Sequence, residues 1–236
     1  MKKIKHYFFK VAVICFLFLI SCDNANDLLN QYIENGPIIY AAKINELNTQ
    51  SGYYRFRVNI HPAEDVNRSF CILSWNNAEG LKDSVRIDYN EENFDNDLKC
   101  YYAIINVLSE ENIQGNLQIG GQNVDLFGNR SLIVNGSAYI YGLNYTSTLI
   151  NAQISFSTGN KNINFEPRVG AVGNLLSYEK NSGGFTEEVF VSDNSYPLTD
   201  AKPGGIVRTK TRYLISETDI DTLEVVEYLE TIIPQN

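Results

Sequence analysis

Short runs of alternating apolar and polar residues recur along this chain, and each run ends at glycine, asparagine, aspartate or proline. The runs repeat at intervals of about 8–14 residues, the spacing of short antiparallel strands joined by tight turns. Helical periodicity is nearly absent beyond residues 27–33. Abundant Tyr, Phe, Ile and Val also favour strands, because these side chains pack well on a pleated surface. The sequence therefore predicts an all-β fold of the sandwich type.

The predicted strands form two groups separated by a polar stretch. The first group comprises residues 38–47, 54–60, 70–75, 84–89, 100–107, 116–126 and 131–141, and the second comprises 154–157, 162–166, 174–180, 187–191, 206–216 and 222–231. The stretch between them is rich in Thr and Asn, so we predict a linker over residues 142–152. We predict one sandwich over residues 37–141 and a second over residues 153–232, each large enough to bury its own core.

The N-terminus has the pattern of an export signal. Residues 1–10 carry four lysines and no acidic residue, and residues 11–20 are apolar but too few to span a bilayer of about 30 Å. The following Leu-Ile-Ser-Cys matches a lipobox, in which the cysteine thiolate receives a diacylglyceryl group and the peptidase cuts just before it. We predict a signal peptide over residues 1–21, lipidation of Cys22 and a polar tether over residues 22–36.

Lipidation of Cys22 would place the mature protein in the cell envelope. Several acyl chains on one residue give stable membrane residence, so we expect an exported protein anchored in a membrane through its N-terminal lipid. The outer membrane is the expected location, with the protein facing the surface or the periplasm. Two alternatives are less favoured. An ordinary cleaved signal would leave Cys22 without a role, and a transmembrane anchor conflicts with the abrupt end of the apolar run at Ser21.

Net charge limits the partners of the mature chain. The whole chain has a formal net charge of -9, and loss of residues 1–21 removes four lysines and no acid. Nucleic acids and anionic lipid surfaces are recognised through clusters of Lys and Arg. An acidic mature chain therefore argues against both, and we expect no nucleic-acid partner.

Two cysteines remain once Cys15 is removed with the signal and Cys22 is acylated. Cys71 and Cys100 each lie inside an apolar run that is predicted to be a strand. In an exported protein such a pair can form a disulfide. A buried free cysteine also packs as a small hydrophobic residue. The sequence leaves both alternatives open.

No residue pattern supports catalysis or a bound cofactor. His61 is the one histidine left after cleavage, the nucleophile-elbow pattern is absent, and so is a Cys-x-x-Cys pair. Acidic residues occur in runs on predicted loops and edges, where charges are usually solvated. The acidic segment 88–99 fails the EF-hand pattern, because Asn93 and Lys99 stand where Gly and Glu are needed. We therefore predict a non-enzymatic protein with no assigned metal site and no cofactor.

Aromatic residues near predicted turns are the better candidates for ligand contacts. Sugars present flat C–H faces that stack on exposed rings. The candidate rings are Trp75, Tyr53, Tyr89, Tyr145 and Tyr196. For Trp75, packing between the sheets is the favoured alternative, because sandwiches commonly bury one aromatic residue there.

Several segments in a fixed order resemble a family of lipoproteins of unknown function from glycan-foraging Gram-negative bacteria. The segments are 36–43 (GPIIYAAK), 71–77 (CILSWNN), 83–85 (DSV), 136–142 (GSAYIYG), 144–145 (NY), 212–214 (RYL) and 219–222 (DIDT). The resemblance spans roughly residues 27–232 and its motifs are structural. It implies two tandem sandwiches of the immunoglobulin and fibronectin type III kind, as in accessory lipoproteins of polysaccharide-utilisation systems.

The same resemblance draws attention to two possible modification sites. Some of these bacteria O-glycosylate exported proteins at Asp-Ser/Thr-aliphatic triplets. Ser84 in Asp-Ser-Val and Thr222 in Asp-Thr-Leu match this pattern. We treat glycosylation at Ser84 and Thr222 as a hypothesis.

Two functions from different classes follow from these expectations. The first is a non-catalytic envelope lipoprotein that binds or presents a glycan within a polysaccharide-uptake assembly. The second is a structural or adhesive spacer that contacts another envelope protein through an exposed strand edge.

Overall fold

The computed structural model describes residues 39–77, 79–107, 113–160 and 162–235. Within these ranges the chain is mostly strand, with one short α-helix, Leu143–Thr146 (α1), and 3-10 turns at Glu91–Asn93 and Thr158–Asn160. The predicted all-β sandwich fold is confirmed. The predicted signal peptide, Cys22 and the tether lie outside the described residues. No helix in the described ranges is long and apolar enough to cross a membrane.

The first eight strands form one continuous hydrogen-bonded path. They are Ile44–Tyr53 (β1), Arg55–Pro62 (β2), Arg68–Asn76 (β3), Lys82–Asp88 (β4), Phe94–Asp95 (β5), Cys100–Asn106 (β6), Gly115–Asp125 (β7) and Val134–Tyr141 (β8). Neighbours follow the order β4-β3-β7-β8-β1-β2-β6-β5. All pairs are antiparallel except β1 and β8, which run parallel where Gly52 and Tyr53 meet Ile140 and Tyr141. This short pairing joins the two halves of the path, which pack face to face.

The remaining strands form two smaller sheets. They are Ile154–Phe156 (β9), Asn162–Phe165 (β10), Ala171–Tyr178 (β11), Val189–Val191 (β12), Ser195–Pro197 (β13), Ile206–Tyr213 (β14), Leu223–Glu224 (β15) and Leu229–Ile232 (β16). One sheet has the order β13-β10-β9 and the other β12-β11-β14-β15. Strand β16 pairs with the first half of β14, and β15 pairs with its end. Strand β14 is therefore the centre of the larger sheet.

Each set of strands encloses a hydrophobic core. In the first, alternate residues of β2 point inward, and Phe56, Val58 and Ile60 are fully buried against Leu73 and Trp75 of β3. In the second, Ile163, Leu176, Val207 and Ile233 are the most deeply buried residues. Alternation along these strands places one face in the core, as period-two patterning requires.

Strand boundaries differ most from the prediction where side chains are polar. Strand β1 was predicted at 38–47 but runs to Tyr53, because its polar residues 48–51 pair through the backbone with β2. The predicted strand 222–231 is two short strands, β15 and β16, on either side of a break. Strands β5 and β13 span only two and three residues, too few for a periodic pattern. The predicted linker contains helix α1.

Candidate binding cleft between the two sets of strands

The turn between β1 and β2 lies at the centre of the site. Tyr54 is the single residue between these strands, and its φ of 52° is unusual for a residue with a side chain. Its backbone is held on both sides. Its N–H donates to the Tyr141 carbonyl at 2.8 Å, and its carbonyl accepts from the Val107 N–H at 2.9 Å. The turn is thus fixed by the ends of β8 and β6.

The connection from β14 to β15 is hydrogen-bonded to this turn. The Ile220 N–H donates to the Ser51 carbonyl at 2.8 Å. Asp221 accepts from the Tyr53 N–H at 2.9 Å and from Arg55 Nε at 2.8 Å, and Arg55 Nη2 contacts its other oxygen. The hydrogen bond from the Arg55 guanidinium lowers the pKa of Asp221, and in return Asp221 raises the pKa of Arg55. A bidentate ion pair between Arg55 and Asp221 therefore links the two sets of strands.

Gly52 permits this close approach. A Cβ atom at position 52 would lie 2.6 Å from Asp221 Oδ2 and 2.7 Å from Ile220 Cγ1. These distances are shorter than van der Waals contact, so any larger residue would push the 219–222 segment away. The glycine is needed here because of space, since its φ does not lie in the left-handed region.

A cluster of tyrosines borders the same junction. The Tyr141 ring lies 4.8 Å from Tyr145 and 5.2 Å from Tyr139, measured between centroids. The Tyr141 hydroxyl donates to Asp219 Oδ2 at 3.1 Å, and burial together with this carboxylate raises the pKa of Tyr141. Helix α1 positions Tyr145, and its first N–H, that of Leu143, donates to the Tyr54 hydroxyl at 3.1 Å. Aromatic packing thus supports the charged contact.

A cleft of about 610 Å³ opens beside this junction. Its lining comprises Tyr53, Tyr54, Arg55, Asn106, Leu143, Thr146, Lys210, Asp221, Thr222, Leu223, Glu224, Val225 and Val226. This volume lies within the range of about 300–1,000 Å³ that is typical of ligand pockets. The Lys210 ammonium lies 4.4 Å from the centre of the Tyr228 ring, on the outer face of β14. Glu224 is paired with Arg212 at 2.6 Å.

The cleft combines one exposed ring with several polar groups. Tyr53 keeps 41% of its surface exposed. Near it the lining offers the Asn106 amide, the Thr222 hydroxyl and the Lys210 ammonium. A flat, hydroxyl-rich ligand could stack on the ring and hydrogen-bond to these groups. No group of three or more His, Cys, Asp or Glu side chains in the described ranges is arranged to hold a metal ion.

Trp75 is not an exposed ring. It is only 7% exposed, and it packs edge-to-face on Phe56 with ring centres 6.5 Å apart in the first core. Side chains alternate along β3, and Cys71, Leu73 and Trp75 lie on its inward face. Its indole nitrogen has no hydrogen-bond partner among the described residues. Its position beside a turn was therefore misleading as a sign of ligand contact.

The other predicted rings occupy different environments. Tyr53 lines the cleft, and Tyr145 lies in the tyrosine cluster next to it. Tyr89 packs against the first core, and its hydroxyl donates to Asn123. Tyr196 on β13 packs against the second core. Only Tyr53 of these candidates is both exposed and inside the cleft.

Cys71 and Cys100 are free thiols in the structure, and both are buried. Cys71 belongs to the first core, where burial raises the pKa of its thiol to about 11. Burial also raises the pKa of Cys100 on β6. The disulfide that the sequence left open is not formed, and Cys71 packs as a small apolar group in the first core.

The two possible modification sites are exposed. Ser84 lies on β4, which ends the strand order and so presents an edge. Thr222 lines the cleft next to Asp221. Sequence reasoning singled out Thr222 but missed Arg55, Asn106, Lys210 and the pairing role of Asp221. These residues are distant in the sequence and carry no local signal, although Asp221 lies in one of the family-like segments.

The cleft and the two sets of strands define an all-β sandwich protein with a candidate binding site at the junction. The chain belongs to the family DUF4998, a domain of unknown function, whose sequence profile matches residues 22–223. No curated protein matches the chain.

Two solved structures that align with this chain contain fibronectin domains. The FN1–FN3 domains of chicken CNTN1 are 10% identical, with 83% of this chain and 69% of that chain covered and a TM-score of 0.37. A segment of two fibronectin type III domains from chicken tenascin is 14% identical, with 82% and 99% covered and a TM-score of 0.31.

Proposed function

We propose that this protein is a non-catalytic, lipid-anchored envelope protein that binds a glycan in the junction cleft. The anchor rests on the export signal and Cys22 in the sequence. The glycan rests on the resemblance to accessory lipoproteins of polysaccharide-utilisation systems. In this proposal residues 37–141 and 153–232 are two domains and the cleft lies where they meet.

The observation that carries the proposal is the exposed Tyr53 ring inside a cleft of about 610 Å³. Ring faces bind the C–H faces of sugars, while the amide of Asn106 and the hydroxyl of Thr222 match sugar hydroxyls. The hydrogen bond from the Tyr53 N–H to Asp221 holds the backbone that carries the ring. Binding therefore costs little additional conformational entropy at this residue. Thus both the chemistry and the rigidity of the cleft suit a glycan.

A glycan panel tests this proposal. Soluble residues 23–236 are titrated with neutral and acidic polysaccharides, alongside the variants Tyr53→Ala and Asn106→Ala. Both variants should weaken binding at least tenfold. Phe127→Ala is the matched control, since it removes another exposed ring at the far end of the first set of strands and should bind normally. If no polysaccharide is retained at millimolar concentration, the glycan proposal fails.

A spacer that holds another envelope protein is the second candidate, and the bonded junction favours it. The contacts of Asp221, Ile220 and Tyr141 fix the two sets of strands to each other, which suits a protein that sets a distance. Cross-linking in intact cells should then capture one stoichiometric partner. The yield should survive Tyr53→Ala and fall with Asp221→Asn. The reverse pattern would favour the glycan site.

The lipid anchor has a separate test. Cells grown with radiolabelled palmitate should label the wild-type protein, whereas Cys22→Ala should stay unlabelled and accumulate as a precursor. Equal labelling of the two would show that Cys22 is not the acceptor.

Intact-mass analysis of the native protein tests glycosylation at Ser84 and Thr222. Added sugar on the native protein that disappears in Ser84→Ala or Thr222→Ala assigns the site. A sugar on Thr222 would also occupy the cleft, so modified protein should bind glycans less well than protein made without it. A native mass that equals the polypeptide plus lipid would end this hypothesis.

A further inference from the structure

The connection between β7 and β8 begins with a tight turn whose central residues are large and apolar. Leu126 and Phe127 occupy the two central positions, and the Gly128 N–H closes the turn on the Asp125 carbonyl at 3.1 Å. Their side chains are 66% and 76% exposed. Turns of this kind usually carry Gly, Asn, Asp or Ser at such positions, so two exposed apolar residues need a reason.

The backbone of the turn is held by hydrogen bonds to one carboxylate. The Asp125 carboxylate accepts from the Phe127 N–H at 2.9 Å, from the Asn129 N–H at 2.8 Å and from Asn129 Nδ2 at 2.8 Å. Although Asp125 is itself buried, these hydrogen bonds lower its pKa overall. The geometry keeps the two apolar side chains pointing away from the sheet.

A third apolar residue lies on the neighbouring connection. The Leu126 N–H donates to the Asn67 carbonyl at 2.8 Å, which brings the β2–β3 connection alongside the turn. Val66, next to Asn67, is 94% exposed. We call Val66, Leu126 and Phe127 the apolar tip. Exposed apolar clusters of this kind commonly mark a surface that contacts another protein or a membrane.

The polypeptide from the proposed lipid anchor arrives at this end. The Ala42 carbonyl accepts from Asn123 Nδ2 at 2.7 Å, and the Lys43 carbonyl accepts from the Ala63 N–H at 3.0 Å. Asn123 is two residues from the turn. The roughly 20 residues between Cys22 and Ala41 can span at most about 70 Å, so a lipid on Cys22 leaves this end within reach of the bilayer.

We propose that the apolar tip inserts into the bilayer that holds the lipid of Cys22. This inference rests on the lipid anchor of the proposed function. Insertion is driven by apolar burial, because Glu64 and Asp65 precede Val66 and give no attraction to anionic headgroups. The consequence is an orientation. Tyr53 ends β1 about 30 Å from the start of that strand, so the cleft faces away from the membrane and is open to ligands.

Depth-dependent fluorescence tests the insertion. Lipidated Phe127→Trp protein is reconstituted into phosphatidylcholine vesicles with either ordinary or brominated acyl chains, because bromine quenches only nearby tryptophan. Val169→Trp is the matched control, since Val169 is fully exposed in the second set of strands. The native Trp75 is buried and its signal is subtracted using the wild-type protein. The Phe127→Trp emission should shift to the blue and fall at least twofold with brominated chains, while Val169→Trp is unchanged.

A second probe position distinguishes insertion of the apolar tip from the preference of a tryptophan side chain for the membrane. Val66→Trp should also be quenched, and adding Leu126→Ser and Phe127→Ser should remove most of that quenching. Protein that stays vesicle-bound with Phe127→Trp no more quenched than Val169→Trp would overturn the insertion and leave the anchor standing. Protein that does not associate with vesicles at all would overturn both. Loss of a cross-linked protein partner in Leu126→Ser/Phe127→Ser, without lipid quenching, would assign the tip to a protein instead.

Discussion

The two sets of strands differ in how many apolar side chains they bury. The first is sealed by apolar packing, in which Phe56, Leu73 and Trp75 are the large buried side chains. The second has fewer buried apolar residues. Both sets also bury polar residues, and in the second these are Asn174, Thr209 and Thr211 on strands β11 and β14. Apolar packing tolerates small shifts, whereas a buried polar group needs its partner in place.

The polar interior of the second set ties the linker to its central strand. Thr211 is fully buried on β14. Its hydroxyl accepts from the Ala152 N–H at 2.7 Å and donates to Asn174 at 2.8 Å, while its own N–H donates to Asn151 at 2.9 Å. One threonine thus connects the end of the linker with β11 and β14. With a smaller apolar core, the second set should depend strongly on this one buried hydroxyl.

The largest loss of stability is expected from a substitution that creates a cavity in the first core. Phe56→Ala should lower the free energy of unfolding by about 3–5 kcal/mol, because a fully buried ring is removed. Denaturant unfolding measures the loss, and hydrogen exchange should show it in β2 and β3 with little change in β14. Phe127→Ala is the control, because it removes an exposed ring and should change stability by less than about 0.5 kcal/mol. Equal loss of protection in both sets would contradict separate cores.

In the second set, the removal of one buried hydroxyl should lower the free energy of unfolding by a comparable amount. Thr211→Val keeps the shape but leaves the Ala152 N–H and the Asn174 carbonyl without a partner, at a cost of about 3 kcal/mol. Thr209→Val is the matched control. The Thr209 hydroxyl is buried without a partner among the described residues, so this change should be neutral or stabilising. If both variants behave alike, the polar network is not what holds the second set together.

Loss of the charged contact between the two sets of strands should lower the free energy of unfolding by less than either core substitution. Asp221→Asn removes the charged contact with Arg55 and should lower the free energy of unfolding by about 2 kcal/mol. Hydrogen exchange at the Tyr53 and Ile220 amides should rise, while both cores keep their protection. Asp219→Asn is a milder comparison, since Asp219 accepts hydrogen bonds from two neutral donors, the Tyr141 hydroxyl and the Ser216 N–H. Unchanged exchange at Tyr53 would show that the junction is held by packing alone.

The smallest expected effect is the acid dependence of the junction. Because the pKa of Asp221 is lowered in the folded protein, its contribution is present above the ordinary carboxyl pKa of about 3.9 and is lost as the pH falls through the lowered value. Wild-type protein should therefore lose more stability than Asp221→Asn between about pH 5 and pH 2. The readout is denaturant unfolding across this range. Parallel curves for the two proteins would contradict the assignment.

Strand existence and the inward face of most strands followed from the sequence. Local alternation dictates which side of a strand is buried, so Phe56, Val58 and Ile60 were predictable as core from their pattern alone. The same holds for Val207 and Tyr213 on β14. Strand ends were less predictable, because polar residues such as those of β1 pair through backbone groups that every residue carries.

The sequence by itself determined the all-β class and the two groups of strands, because each is encoded by neighbouring residues, and it predicts an export signal with Cys22 in the same way. Only the tertiary structure decided that Trp75 is buried, that Tyr53 is exposed in a cleft, and that Asp221 meets Arg55. Asp221 and Arg55 lie 166 residues apart along the chain. Contacts at such separation depend on how whole sheets pack, and no local pattern records them.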